Sequence, residues 1–258
     1  MTQKIVVNNN YKTTQTEIKS ILDNFDLIDD YIAKGTRNSI KKKTLESGKI
    51  ATIKSFKIPN IVNKFVYRFF RKSKAERSYE YAKRLIDLGF LTPYPIAFVE
   101  NKTLINFNDS YYFCELVEAD LTYRELVHDE KWPNRTEILK QFTRFTFKLH
   151  EAGIEFLDHS PGNTLIKQIG NNQYEFYLVD LNRMNFHDSM NFETRMKNFS
   201  RLTPHKEMVE IMAKEYAILV HKPEQKVINA MWSKTEEFQF KFHRKQARKK
   251  KLKALIGK

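Results

Sequence analysis

An aspartate and an asparagine five residues apart, Asp158 and Asn163 in LHEAGIEFLDHSPGNTLI, precede a second aspartate, Asp180, at the end of the apolar run YEFYLVD. A carboxylate on a loop can accept or orient a hydroxyl proton, and an amide oxygen with a second carboxylate can hold a divalent cation. Phosphoryl transfer needs both, because the cation neutralises the phosphates while the carboxylate aims the attacking oxygen. The D-x-x-x-x-N pattern alone is common in loops. Its weight comes from the elements that must position it.

In ILKQFTRFTFKLHEAG the spacing of Ile138, Phe142, Phe145 and Leu149 predicts a buried helical face that Gly153 ends. Two strand-like runs, Thr164 to Ile169 and Tyr174 to Val179, flank Gly170-Asn171-Asn172 and predict a hairpin with Asn163 and Asp180 at its open end. Helix, loop and hairpin in this order match the catalytic and metal loops of a protein-kinase-like fold.

Toward the N-terminus, DDYIAKGTRNSIKKKTLESGKIATIKSF predicts three short strands with turns at Lys34-Gly35-Thr36 and Glu46-Ser47-Gly48. Lys54 follows a β-branched, alternating stretch, the setting in which such a lobe turns one lysine to the α and β phosphates. No complete G-x-G-x-x-G is present. Gly35 stands between the first two strands, where the backbone with Thr36 and Ser39 could approach a phosphate, and an ordinary hairpin turn is the competing reading.

SKAERSYEYAKRLIDLG predicts a helix capped by Ser73, with Tyr81, Leu85 and Leu88 as its buried stripe and Gly89 as its stop. Glu76 and Glu80 lie one turn apart on it, and either could pair with Lys54. Glu80, in mid-helix, is the first choice, and the sequence leaves both open. After the extended TPYPIAF, two strand-like runs surround a turn at Asn108-Asp109. The second ends at Glu115-Leu116-Val117, where main-chain groups of Glu115 and Val117 can bond an adenine edge.

The chain has 258 residues, 41% of them hydrophobic, enough for a real core in one unit or two lobes sharing a cleft. One cysteine, Cys114, excludes an internal disulfide and a cysteine-rich metal site, and its apolar neighbours point to a buried thiol. No stretch is apolar enough to cross a bilayer and the N-terminus lacks a secretory core, so a cytosolic location is the expectation. The net charge of +14 concentrates in Lys34 to Arg77, including Lys41, Lys42, Lys43, Arg68, Arg71, Lys72 and Lys74, and in the tail KFHRKQARKKKLKALIGK. Such clusters attract polyanions, and FVYRFFRK, with its aromatics, suits either an interface or a solvated face over buried rings. EMVEIMAKEYAIL, before the tail, has a helical period.

The segments IAKGTRNSI, ATIKSF, FFRKSKAERSYEYAKRLIDLGFLTPYPIAFVE, LHEAGIEFLDHSPGNTLI and YLVDLNRMNF, taken in order, resemble the lipopolysaccharide core kinase family, which phosphorylates Kdo or heptose of the lipid A inner core. The resemblance covers most of the chain. It implies an α+β, bilobal protein-kinase-like fold, with a small antiparallel-sheet lobe bearing one main helix and a larger, mainly helical lobe. The corresponding divisions are 1–117, 118–240 and a basic tail, 241–258. It also implies an enzyme using ATP and Mg²⁺ at the cytoplasmic face of an inner membrane, on a Kdo-lipid A type glycolipid. The roles it carries over are Asp158 as catalytic base, Asn163 and Asp180 as Mg²⁺ ligands and Lys54 on the phosphates.

The chain departs from eukaryotic-type protein kinases in three places. Phe156-Leu157 stand for the His-Arg before the catalytic aspartate, Leu181-Asn182 stand for the Phe-Gly after the metal aspartate, and no A-P-E segment follows. Small-molecule or glycolipid phosphorylation therefore outranks protein phosphorylation, and nucleic acid is an unfavoured partner. Arg183, Arg195 and Arg201 could grip a substrate carboxylate or phosphate, or brace the fold. His159 is expected to organise its loop by hydrogen bonding rather than act as a second base. A small atypical protein serine/threonine kinase and a nucleotide-binding pseudokinase scaffold are the alternatives. Retention of Lys54, both aspartates and Asn163 argues against the scaffold.

Overall fold

The computed structural model describes residues 2–9, 11, 15–34, 38–56, 71–103 and 107–255. The chain divides into two units, one of residues 1–118 with 179–182, the other of 119–178 with 183–258.

The first unit is built on β1 (Thr2–Val7), α1 (Gln15–Asp23), β2 (Tyr31–Lys34), β3 (Asn38–Thr44), β4 (Ile50–Phe56), α2 (Lys74–Asp87), β5 (Pro95–Lys102) and β6 (Phe107–Glu115). Its strands form an antiparallel sheet in the order β1-β5-β6-β4-β3-β2. Side chains alternate across a sheet, and here both faces are covered. Ala51 and Ile53 of β4, Ala97 and Val99 of β5 and Phe113 of β6 join one core with Ile18 and Ile21 of α1. Phe98, on the opposite face, packs against Tyr79 of α2 with ring centroids 5.3 Å apart. Lys54 stands opposite Tyr112 of β6, which in turn stands opposite Phe98, so the lysine shares the α2 face. A slip of one residue would turn Lys54 into the apolar core and Ile53 out of it, so burial fixes the register.

Helix α2 starts where Ser73 accepts a hydrogen bond from the Glu76 amide, and it ends before Gly89 at φ +81°. Its buried residues include Ala75, Ser78, Tyr79, Ala82 and Leu85. The expected stripe through Tyr81 and Leu88 is therefore rotated, since Leu88 is exposed and Tyr81 half-buried. Apolarity at correct spacing does not choose between two adjacent faces, and packing on the sheet does. The turn expected at Asn108-Asp109 is also displaced. Both residues lie inside β6, beside a register shift in its pairing with β5. The ladder overrides the turn preference of Asn and Asp.

Lys41, counted among the polyanion-attracting charges, is buried instead. Its Nζ donates to the Phe25 carbonyl at 2.8 Å and lies 4.4 and 4.7 Å from the ring centroids of Phe25 and Tyr31. The ammonium thus tethers the turn after α1 to the sheet, and the rings replace part of its lost hydration. Arg77 of α2 is buried as well. Residues 65–70 of FVYRFFRK lie outside the described residues.

The second unit contains β7 (Leu121–Thr122), α3 (Tyr123–His128), α4 (Arg135–Glu151), β8 (Ile154–Phe156), β9 (Thr164–Gly170), β10 (Gln173–Leu178), β11 (Met184–Phe186), α5 (Phe192–Phe199), α6 (Lys206–Leu219) and α7 (Glu224–Leu255). Its core joins Ile138, Leu139 and Phe142 of α4 to Met208, Met212 and Tyr216 of α6 and to Val227 and Met231 of α7. Phe145 of α4 packs against that core half-buried, and Thr146 and His150 complete the buried face. The predicted hairpin is β9 and β10, turning through Asn172 at φ 55°. Helix α7 packs through its first half only. From Phe240 to Ala254 every residue whose burial is described is exposed. Of the segment expected as a tail, residues 241–255 continue this helix. No described helix is long and apolar enough to cross a membrane.

Candidate active site

The loop bearing Asp158 is entered through a turn that only glycine fits. Gly153 sits at φ +70°, where a Cβ would meet the His187 carbonyl oxygen at 1.9 Å. The close approach is the start of the β8–β11 ladder, in which the His187 amide donates to Gly153 O at 2.8 Å and Phe156 stands opposite Met184. This ladder ties the segment leading into Asp158 to the segment that follows Asp180 in sequence. One further bond, from Leu157 N to Arg183 O at 3.1 Å, carries the tie to the residue before Asp158.

Asp158 does not stand alone. Arg201, just past α5, places Nη1 2.8 Å from Asp158 Oδ1 and 2.9 Å from the Leu157 carbonyl. The guanidinium thus grips the carboxylate and its own backbone together. Its outer side lies 5.5 Å from the Phe238 ring of α7. Asn163 closes the loop from the other end. Its Nδ2 donates to the Asp158 carbonyl at 2.8 Å, which leaves the amide oxygen directed elsewhere.

In the first unit, Lys54 Nζ lies 2.6 Å from Asp180 Oδ1, the two side chains 13% and 29% exposed. Asp180 has a left-handed backbone, φ 59°. That conformation costs a non-glycine residue energy, and aspartate is among the few that tolerate it. Asn182 supports it, with Nδ2 donating to the same Oδ1 at 2.5 Å. Two donors on one oxygen leave the other oxygen of the carboxylate for a cation.

Neither glutamate of α2 meets Lys54. Glu80 takes Lys72 at 2.5 Å and Glu76 takes Lys4 of β1 at 2.9 Å, while Lys54 is held by Asp180. Lys72 stands just before α2, and Lys4 is brought in because β1 pairs with β5, a contact between distant parts of the chain that helical spacing does not show. Glu115 bonds through its carboxylate to Tyr11 and Lys49, and its amide donates to Tyr94 O at 2.9 Å. Val117 is half-buried. Gly35 and Thr36 lie outside the described residues. Cys114 is buried, and burial pushes its thiol up to about 12, which leaves it unreactive.

His159 is fully enclosed between the rings of Phe142 and Phe156, at centroid distances of 5.3 and 5.6 Å. Neither ring nitrogen has a hydrogen-bond partner of good geometry among the described residues, although Asn198 lies beside it. Its loop is therefore organised by packing and by the bond from its amide to Phe156 O at 3.1 Å, not by imidazole hydrogen bonds as expected. Of the three arginines, Arg195 pairs with Glu151 and Arg201 with Asp158, while Arg183 is exposed. The role of Arg201 on Asp158 was not legible, because it joins residues whose contact depends on where α5 lies.

The sequence pattern of the Lipopolysaccharide kinase (Kdo/WaaP) family matches residues 57–222. The chain belongs to this family. A lipopolysaccharide kinase is a phosphotransferase, and the chain is accordingly a kinase. The solved structure of WaaP in complex with acyl carrier protein is similar at 13% identity with a TM-score of 0.63, over 93% of this chain and 98% of that one. That likeness establishes the protein-kinase-like fold of this lipopolysaccharide kinase. The Rio2 kinase of Chaetomium thermophilum, in its ADP/Mg²⁺-phosphoaspartate complex, aligns at 16% identity with a TM-score of 0.48, over 83% of this chain and 64% of that one. A comparison with curated proteins finds no match.

Proposed function

We propose that the chain transfers the γ-phosphate of ATP to a hydroxyl of Kdo, or of heptose, in the inner core of a lipid A type glycolipid. The observation that carries this reading is the pairing of Lys54 with Asp180, 126 residues apart in the chain, at 2.6 Å. A buried-edge lysine held by a carboxylate on a left-handed backbone is a preset cationic group for phosphate, and the carboxylate keeps one oxygen for a metal. In this reading Asp158 orients the acceptor hydroxyl, Asn163 and Asp180 offer oxygens to Mg²⁺, and Lys54 meets the phosphates. All the donors offered are hard oxygens, which suits Mg²⁺. Among the described residues no group of three or more His, Cys, Asp or Glu side chains forms a metal cage. Mg²⁺ is ordinarily held by one or two protein oxygens together with substrate phosphates, so that finding fits a cation arriving with the nucleotide. When bound, it would neutralise phosphate charge.

A sugar acceptor is favoured over a protein because only β11 and a short connection separate Asp180 from α5, which leaves little chain for a peptide-docking loop. A Kdo carboxylate would need a cation. Arg195 and Arg201 are engaged within the second unit, so Arg183 is the arginine best available for that contact. Incubation with labelled ATP, Mg²⁺ and a panel of Kdo-bearing and heptose-bearing lipid A precursors tests the reading. Label is expected on a Kdo-bearing or heptose-bearing glycolipid, and a panel that takes up no label would overturn the assignment.

Lys54→Met is expected to lower transfer about 100-fold or more, since it removes a preorganised charge from the developing phosphate. Steady-state rates at saturating ATP measure it, and unchanged rates would remove Lys54 from the site.

The exposed half of α7 supports a second element of this reading, peripheral contact with anionic membrane. No acidic residue follows Glu237, whereas Lys241, Arg244, Lys245, Arg248, Lys249, Lys250 and Lys251 do. Each basic residue near an anionic surface contributes about 1 kcal/mol. Deletion after Phe242 is expected to reduce sedimentation with phosphatidylserine-containing vesicles while leaving ATP turnover intact, because the side chains described in the segment are exposed. Unchanged sedimentation would dismiss the contact.

A further inference from the structure

Behind the Asp158 loop lies a chain of buried polar groups that no role assigned so far employs. Tyr216 of α6 places its hydroxyl 2.8 Å from His150 Nδ1. His150 Nε2 lies 3.1 Å from Asn198 Oδ1, and Asn198 Nδ2 lies 2.8 Å from the carbonyl oxygen of Phe156. Tyr216 and His150 are completely buried, and Asn198 is buried at 8% exposure.

The direction of every bond follows from one fixed point. A backbone carbonyl can only accept, so the Asn198 group facing Phe156 is the amide NH₂, and its oxygen must face His150. That oxygen also only accepts, so His150 carries its proton on Nε2. The Nδ1 lone pair is then the acceptor, and the Tyr216 hydroxyl is the donor. Arg195, held by its ion pair with Glu151 and its bond to the Met190 carbonyl, lies near the phenol and adds positive charge at this end of the chain. Each acceptance polarises the next donor, so the sequence of bonds holds one orientation. Burial supports the same assignment, pushing His150 down to about 4 and Tyr216 up to about 12, so the imidazole stays neutral and the phenol keeps its proton.

We infer that Tyr216, His150 and Asn198 are positioning residues. Their hydrogen bonds, run in one direction only, clamp the Phe156 carbonyl and thereby hold Asp158, two residues further on, where it meets the acceptor hydroxyl. The inference rests on the reading of Asp158 as the group that orients the acceptor. Arg201 grips the Asp158 carboxylate and Leu157, Asn198 grips Phe156, and Asn163, at the far end of the loop, grips the Asp158 carbonyl, so three consecutive residues are pinned. A reacting group displaced by about 1 Å can lose on the order of 100-fold in rate, so such pinning has a kinetic consequence.

The test uses the full chain, with Asp158→Asn, Asn198→Leu, Tyr216→Phe, His150→Leu and His150→Gln. Phosphate transfer from Mg·ATP to a Kdo-bearing lipid A precursor is measured beside far-ultraviolet circular dichroism. Asn198→Leu and His150→Leu are expected to lower kcat by 10-fold to 100-fold with KM for ATP unchanged. His150→Gln, which can still donate to Asn198, is expected to recover most of the loss. Tyr216→Phe removes one oxygen and tests the chain if the leucine variants do not fold. In wild-type protein, ¹⁵N spectra of the imidazole are expected to show only the Nε2–H form of His150 at pH 7, and a tautomer mixture in Tyr216→Phe. An inactive Asp158→Asn with Asn198→Leu or Tyr216→Phe within twofold of wild-type kcat would overturn the inference and leave the reading of Asp158 standing. An active Asp158→Asn would overturn both.

Discussion

Asp158→Asn is expected to reduce phosphate transfer by on the order of 1,000-fold or more, with the fold retained. The substitution keeps shape and hydrogen-bond acceptance but removes the negative charge and the ability to take a proton. The side chain is 22% exposed and sits on a loop, so little packing is lost. Arg201 keeps its bond to the Leu157 carbonyl and its contact with Phe238 when the carboxylate is gone. The measurement is kcat for labelled phosphate reaching a glycolipid acceptor, beside an unchanged denaturation midpoint. Transfer within threefold of wild type would show that a different group aims the hydroxyl. Arg201→Met should cost less than Asp158→Asn, since the carboxylate then loses its grip but not its charge.

Acid is expected to unfold the second unit, and His150 and His159 set where. Burial is the first cause in both. For His150 it is reinforced by the charge of Arg195 and opposed by the bond to Asn198 and the charge of Glu155, giving a value of about 4. For His159 it is reinforced by His150 and Arg201 and opposed by Asn198, giving about 3. Both lie below the ordinary value near 6.5 that the unfolded chain shows. The unfolded state therefore takes up protons first as pH falls. The contribution of these rings is complete above about pH 6.5 and is lost progressively toward pH 4 and 3. At pH 5 the loss is roughly 2 kcal/mol per histidine, a large fraction of a domain's stability. Urea midpoints at pH 7.5 and pH 5 measure it, and His159→Phe should flatten part of the slope. Identical midpoints at the two pH values would mean that both rings are already charged or hydrated in the folded chain.

Local pattern made much of this architecture legible. The helix through Ile138, Phe142 and Leu149, the hairpin around Asn172, the Ser73 cap and the strand carrying Lys54 each follow from spacing within about fifteen residues, where period and turn chemistry act directly. The elements that escaped depend on contacts between distant segments. Lys41 reads as surface charge because nothing nearby announces that Phe25 and Tyr31 will close over it. Asn108 and Asp109 have turn composition, yet pairing with β5 draws them into a strand. Glu80 reads as a partner for Lys54 yet takes Lys72, because a helical period fixes spacing and not rotation. Arg201, Asn198 and Tyr216 carry no motif at all. Their meaning arises only once α5 and α6 are packed behind the Asp158 loop.

The outer half of α7 has one more consequence. A stretch of about fifteen residues whose described side chains are all exposed is only marginally helical in water, and the dense like charge of this one opposes the coil-to-helix step further. Its amide protons should therefore trade with deuterium quickly in the free protein, orders of magnitude faster than those of the packed first half around Val227 and Met231. Contact with a charged surface would slow that trade along the whole arm at once, so the isotope uptake of residues 240–255 becomes a direct gauge of whether the arm is docked.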